Sequence, residues 1–285
     1  MLNYLKIYRP INILFIALAQ WLAAYFLDFS ASFQSIKEGG IYWLMLGTAS
    51  CAAFGYWVND FLDQERDAIN KIGQRTISSI NKMWSYVHFL IFILIALFAG
   101  FMLSTYFLVV FAAVILLLVL YSTVLKDVAG LGNILIGLLS FLSIYLIIKL
   151  FPDADALLII HFALLAGMIN LCREIIKDAE DLEGDQATNG RSLPIVFGLR
   201  YTNLAVYIIL LFTLSFLVVS LYYQSNFLTT PLRYLYYTYQ LLFVIVPLYK
   251  VAIDVRFAEH KAHYTSLSKW LKYVIFTGIL SILFF

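Results

Sequence analysis

The stretch IYWLMLGTASCAAFGYWVNDFLDQERD, Ile41 to Asp67, runs eighteen residues without a formal charge and then packs four acids and one base into nine positions. An uncharged run of this length suits a helix crossing bilayer hydrocarbon, which takes about 20 residues at 1.5 Å each. The acids at its end need a separate explanation, because ionised groups beside hydrocarbon are costly.

The rest of the chain is of the same kind. Of its 285 residues, 63% are hydrophobic and only 13% charged, with a mean hydropathy of +0.89. That is more apolar surface than a soluble core of this size buries, so the reading is an all-α, polytopic membrane protein. Nine runs pass as spans, near Ile11–Leu27, Ile41–Val58, Trp84–Leu103, Tyr106–Tyr121, Leu131–Leu150, Ala156–Leu171, Leu204–Tyr222, Leu235–Lys250 and Trp270–Phe285. The third and fourth form one apolar stretch too long for a single crossing, and Gly100 with Ser104 and Thr105 marks the reversal. The first run follows Lys6, Arg9 and Pro10 as in a signal peptide, but it is read as a retained helix because eight further spans commit the chain to the membrane.

Basic residues stay on the cytoplasmic side, so their distribution gives an orientation. With the N-terminus inside, cytoplasmic segments hold Lys6 and Arg9; Arg66, Lys71, Arg75 and Lys82; Lys126; Arg173, Lys177, Arg191 and Arg200; and Lys250, Arg256, Lys261, Lys269 and Lys272. Only Lys37, Lys149 and Arg233 of the 19 basic residues fall outside. Nine spans then place the C-terminus on the opposite side. The expected location is the cell inner membrane. Cys51 and Cys172 lack metal-type spacing and read as buried thiols. A net charge of +2 gives no reason to expect nucleic acid as a partner.

The acidic motif occurs twice. KDAEDLEGD, Lys177 to Asp185, repeats its spacing: Asp60, Asp63 and Asp67 match Asp178, Asp181 and Asp185, each pair 118 positions apart. Both copies follow even-numbered spans and emerge on one side. The copies, at 59–67 and 178–185, mark a single domain, residues 1–285, of two similar halves. On a continuous helix, positions i, i+3 and i+7 share an arc of roughly 60°, so each trio directs its carboxylates one way. Such repulsion calls for a cation. All-oxygen ligands select a hard one, and magnesium is commonly held by one or two carboxylates plus substrate phosphates. Two such half-sites imply a bridging polyanion, and a diphosphate fits, with Lys71, Arg75, Lys126, Arg173, Lys177 and Arg191 available to neutralise its remaining oxygens.

These motifs resemble those of the UbiA-type intramembrane prenyltransferases. Asn59, Asp60, Asp63 and Asp67 match the pattern N-D-x-x-D-x-x-x-D, and Asp178, Asp181 and Asp185 match the second aspartate-rich motif. Further likeness lies in RPINIL after Tyr8, in Asn70 and Lys71, in YSTVLK from Tyr121 to Lys126, and in GRSLPIVFG from Gly190 to Gly198. The resemblance implies one bundle of about nine helices whose cavity opens near the cytoplasmic side. It also implies magnesium-dependent transfer of a prenyl group from a polyprenyl diphosphate to a lipid-soluble acceptor, with membrane lipid around the enzyme. The six aspartates would be catalytic, holding two magnesium ions together with Asn59. Asn59, Lys71, Arg75, Tyr121, Lys126, Arg173 and Lys177 would meet the diphosphate. The chain departs from the family pattern at Ile72 and Thr76, where prolines are usual, and at Asp127, where a base is frequent. REIIKDAEDLEGD leans toward geranylgeranylglycerol phosphate as acceptor, with aromatic quinone precursors as competitors. A membrane cation transporter and a catalytically silent lipid-binding relative are the alternatives from other classes.

Overall fold

The computed structural model describes residues 7–28, 32, 34, 38–70 and 82–285. Among these the secondary structure is helical throughout. The candidate residues Lys71 and Arg75 lie outside the described residues.

The chain starts with α1 (Pro10–Phe26), whose proline occupies the first turn, where a missing N–H leaves nothing unpaired. α2 (Ile41–Leu62) carries the opening sequence and is followed by the short α3 (Gln64–Asn70). α4 (Lys82–Leu103) and α5 (Thr105–Thr123) form a hairpin reversing at the extended Ser104, within the expected breakpoint. A 3₁₀ turn at Leu125–Asp127 leads to α6 (Leu131–Leu150). α7 (Ala156–Glu180), capped by the Asp155 carboxylate accepting from the Leu158 N–H, runs on to the short α8 (Leu182–Ala187). α9 (Leu193–Ser225) kinks at Gly198, where φ is 80°. α10 (Thr230–Gln240), a π turn (Leu241–Ile245) and α11 (Val246–Val255) make one interrupted rod, and α12 (Lys261–Leu280) ends in a 3₁₀ turn.

Eight of these segments are long and apolar enough to cross a membrane; α1, with 17 residues, is apolar but shorter. At about 26 Å it falls just below the ~30 Å hydrocarbon core. The nine expected runs therefore all appear as helix, eight of them with spanning length. The outer faces carry Phe101, Leu116, Phe212 and Val219, all more than 60% exposed, as suits a surface solvated by lipid.

Two packing devices shape the interior. α6 and α7 cross with Gly137 against Gly167, where a methyl group on either would stand 3.0 Å from the other's carbonyl oxygen. Small residues let membrane helices approach this closely, since lipid offers no hydrophobic drive between them. The π turn precedes Pro247, which has no N–H for the Phe243 carbonyl four residues earlier. That carbonyl instead accepts from the Thr277 hydroxyl of α12 at 2.8 Å.

Candidate active site at the acidic mouth of the cavity

A cavity of about 340 Å³ runs into the bundle between α1, α2, α5, α6, α7 and α12. Its depth is apolar, with Phe111, Leu118, Ile144, Phe162, Leu217, Val244 and Ile279 among its walls. Asn59, Asp63, Asp67, Asp178, Asp181 and Asp185 line it together with Arg66, Asn70, Lys126 and Lys177.

The sequence repeat is also a repeat of backbone geometry. α2 ends at Asp63 (φ −93°, ψ 19°) and α7 at Asp181 (φ −97°, ψ 11°), both in the sparsely populated bridge region. Each middle aspartate closes one helix and begins the next. The N–H of Asp63 bonds to Asn59 while its carbonyl accepts from Asp67; the N–H of Asp181 bonds to Lys177 while its carbonyl accepts from Asp185. This corrects the expectation of one continuous helix beneath each trio: the axis bends at the middle carboxylate without losing the hydrogen-bond ladder.

The two acidic segments touch. Asn70 on α3 donates to the Asp181 carbonyl at 3.1 Å and accepts from the Gly184 N–H at 2.9 Å. Gly184 is needed for that approach, because a Cβ there would lie 2.4 Å from the Asn70 amide. Arg66 spans the same seam, donating to Thr188 at 2.8 Å and pairing with Asp127 at 2.6 Å. Lys261 of α12 bonds the Asn70 carbonyl at 2.9 Å.

Individual carboxylates see different partners. Lys126 pairs with Asp63. Asp60 turns to Arg9 at 3.0 Å, whose guanidinium also lies over the Tyr56 ring, and Asp60 is not among the cavity walls. Its counterpart Asp178 accepts from the Asn133 amide at 2.8 Å. Burial pushes the Asp185 carboxyl up to about 6, against the pull of the nearby Arg66 guanidinium. Tyr121 and Arg173 line the cavity with the other candidates. Glu65 and Glu183 are exposed, as neighbours outside the site should be, whereas Glu180 accepts from Thr265 at 2.7 Å.

The donor set suits magnesium. It consists of hard oxygens, and the Asn59 side-chain oxygen is buried without a hydrogen-bond partner. Among the described residues no three His, Cys, Asp or Glu groups stand close enough to hold a metal by themselves. Each half-site is thus open, leaving coordination positions to phosphate and water.

Sequence reasoning missed four polar groups. Arg9, Arg66 and Asn70 sit in or beside the quoted motifs, where a search for partners of the aspartates would have reached them. Lys272, counted with a cytoplasmic segment, lies inside α12 and lines the cavity. Its signal was a base inside the last apolar run, Trp270–Phe285.

Fold and cavity together define a polytopic membrane protein that presents a polar, acid-lined mouth over a lipid-like interior. The profile of the UbiA prenyltransferase family matches residues 17–276, so the chain belongs to that family and is a prenyltransferase. It is 31% identical over 260 residues to the digeranylgeranylglyceryl phosphate synthase of Methanothermobacter thermautotrophicus, covering 90% of this chain and 83% of the relative. The enzyme of the same name from Saccharolobus solfataricus is 33% identical over 202 residues, 70% of each chain. Among solved structures, a UbiA homologue from Archaeoglobus fulgidus bound to DMAPP and Mg2+ superposes with a TM-score of 0.66 at 15% identity, covering 98% of this chain and 99% of the other. A UbiA homologue from Aeropyrum pernix, in its apo form, gives 0.71 at 11% identity, covering 95% and 97%. These structures support the fold.

Proposed function

We propose that this chain transfers a geranylgeranyl group from its diphosphate to geranylgeranylglycerol phosphate, forming an ether lipid. The observation that carries the reading is the seam between the two acidic segments, closed by Asn70 and Arg66 across the mouth of an apolar cavity. The names of the relatives described above support the choice of acceptor.

Two magnesium ions would be held, one drawing ligands from among Asn59, Asp63 and Asp67 with Asp60 behind them, the other from among Asp178, Asp181 and Asp185, with phosphate and water supplying the rest. When bound, the metal supplies positive charge to the departing diphosphate. Lys126 and Lys177, with Lys71 and Arg75, meet the remaining diphosphate oxygens. Its pair with Asp63 supports that role for Lys126. The bond between the allylic carbon and the diphosphate oxygen breaks with its electron pair leaving on oxygen, and the acceptor hydroxyl oxygen forms the new bond while its proton passes to the released diphosphate. The apolar walls enclose the tail and keep water from the electron-poor carbon. The Tyr121 ring, which lines the cavity five residues before Lys126, is the aromatic face available to stabilise positive charge there.

The duplicated acidic motifs support one domain of two related halves. The distribution of basic residues supports an inner-membrane orientation with the N-terminus and the acidic mouth cytoplasmic and the C-terminus opposite.

Purified protein in detergent, given geranylgeranyl diphosphate, the phosphate-bearing acceptor and magnesium, should form product and release diphosphate. Asp63→Ala and Asp181→Ala should each abolish turnover. Full activity in both variants would overturn the metal assignment.

A further inference from the structure

Lys272 is a cation within a membrane-spanning helix that the chemistry above does not use. It lies eleven residues along α12 from Lys261, about 16 Å of helix from the mouth, where Lys261 bonds Asn70. Its side chain lines the cavity, and its ammonium lies 5.8 Å from the Phe15 ring centre. Among the described residues no carboxylate stands within ion-pair distance of it, and its charged neighbours are Arg173, Lys177 and Arg9, all cations. Arg173 uses one terminal nitrogen to pair with Glu174 at 2.9 Å, but its Nε–H is buried with no acceptor. An intramembrane charge normally has a partner or a task, and a buried unpaired donor leaves desolvation unrepaid.

We propose that Lys272 and Arg173 form a second anion site, inside the cavity, that holds the phosphate of the lipid acceptor. The inference rests on the acceptor class proposed above and deepens it. Arg173 lies five residues before Asp178 and eight before Asp181, about 8 and 12 Å of helix, so it is assigned here to the acceptor in place of the diphosphate contact that the family resemblance implies. A phosphate monoester carries between one and two negative charges at neutral pH and several strong acceptors, which suits an ammonium and an unfilled guanidinium donor facing one space. Lys177, between the two levels, separates the two anions while offsetting the charge of both. Both substrates then enter with their polar ends at the same side of the bundle and their tails along its apolar walls.

The test uses full-length protein and two readouts. In thermal-shift titrations without donor or magnesium, geranylgeranylglycerol phosphate should stabilise the wild type, and the corresponding alcohol should not. Lys272→Met should weaken that binding at least about tenfold, the usual scale for losing a charged hydrogen bond, and Lys272→Arg should keep most of it. Lys272→Met removes an intramembrane charge, so its unliganded melting temperature should not fall, which separates a binding defect from misfolding. In transfer assays the KM for acceptor should rise in step with the binding loss, with the KM for geranylgeranyl diphosphate within about twofold of wild type. Unchanged phosphate binding by Lys272→Met, or equal rises in both KM values, would overturn the assignment while leaving the function proposal standing. A wild type that alkylates hydroxybenzoate and ignores the phosphate lipid would overturn the acceptor reading and this site with it.

Discussion

Replacing Gly184 by alanine tests the seam directly. The new methyl would lie 2.4 to 2.7 Å from the Asn70 side-chain amide, so one of the two must move. Asn70 is the end of a flexible side chain and moves more readily than backbone, but in swinging away it gives up both bonds that tie α3 to α8, at 3.1 and 2.9 Å. At about 1 kcal/mol net per hydrogen bond, the apposed arrangement loses about 2 kcal/mol, or about 30-fold in its population relative to an open mouth. Transfer measured with radiolabelled donor at saturating acceptor should therefore show kcat/KM for the diphosphate reduced about 30-fold. The melting temperature should change little, because neither α3 nor α8 belongs to the packed core. Asn70→Ala removes the same two bonds, so the double variant should be no worse than either single one. Additive losses in the double variant, or unimpaired Gly184→Ala, would refute the claim that this contact holds the two acidic segments together.

Proton competition at Asp185 should make the metal requirement pH-dependent. Its carboxyl titrates near 6, so protons displace cation as pH falls through that value: the half-saturating magnesium concentration, read from diphosphate release, should rise between pH 7.5 and 5.5 and change little above 7.5. Thr277→Val leaves the Phe243 carbonyl of the π turn without its acceptor bond and should cost about 1–3 kcal/mol in detergent unfolding measurements, whereas Thr277→Ser should be near neutral.

Much of the architecture was written in hydropathy. Charge-free runs of membrane length and the break at Ser104 came out where an apolar chain needs them, because each backbone group in lipid must pair within its own helix. Helix ends were less legible. The apolar run that marks α7 ends at Leu171, and the helix itself continues to Glu180, since residues past such a run keep helical hydrogen bonds whatever their polarity. Spacing likewise identified the aspartates but not the bends at Asp63 and Asp181, which are local backbone choices that a period of 3.6 does not encode. Lys272 shows the same limit: counting bases by side says nothing of what a lysine near the end of a run faces, and only the three-dimensional path of α12 puts it in the cavity. Arg66 also explains the departure at Asp127, since an acid at that position, in the turn between α5 and α6, pairs with the guanidinium that reaches across the seam to Thr188.

Asp60 and Asp178 occupy corresponding places in the repeat, yet one faces the Arg9 guanidinium and the other the Asn133 amide. Duplicated letters have thus acquired unlike surroundings: Asp60, outside the cavity wall, turns onto a guanidinium, while Asp178 lines the cavity against a neutral amide. A repeat in sequence is thereby made unequal in its contacts. Under the proposed function, such unequal copies would tell the esterified end of a small polyanion from the free end, which a perfectly symmetric clamp would be unable to do.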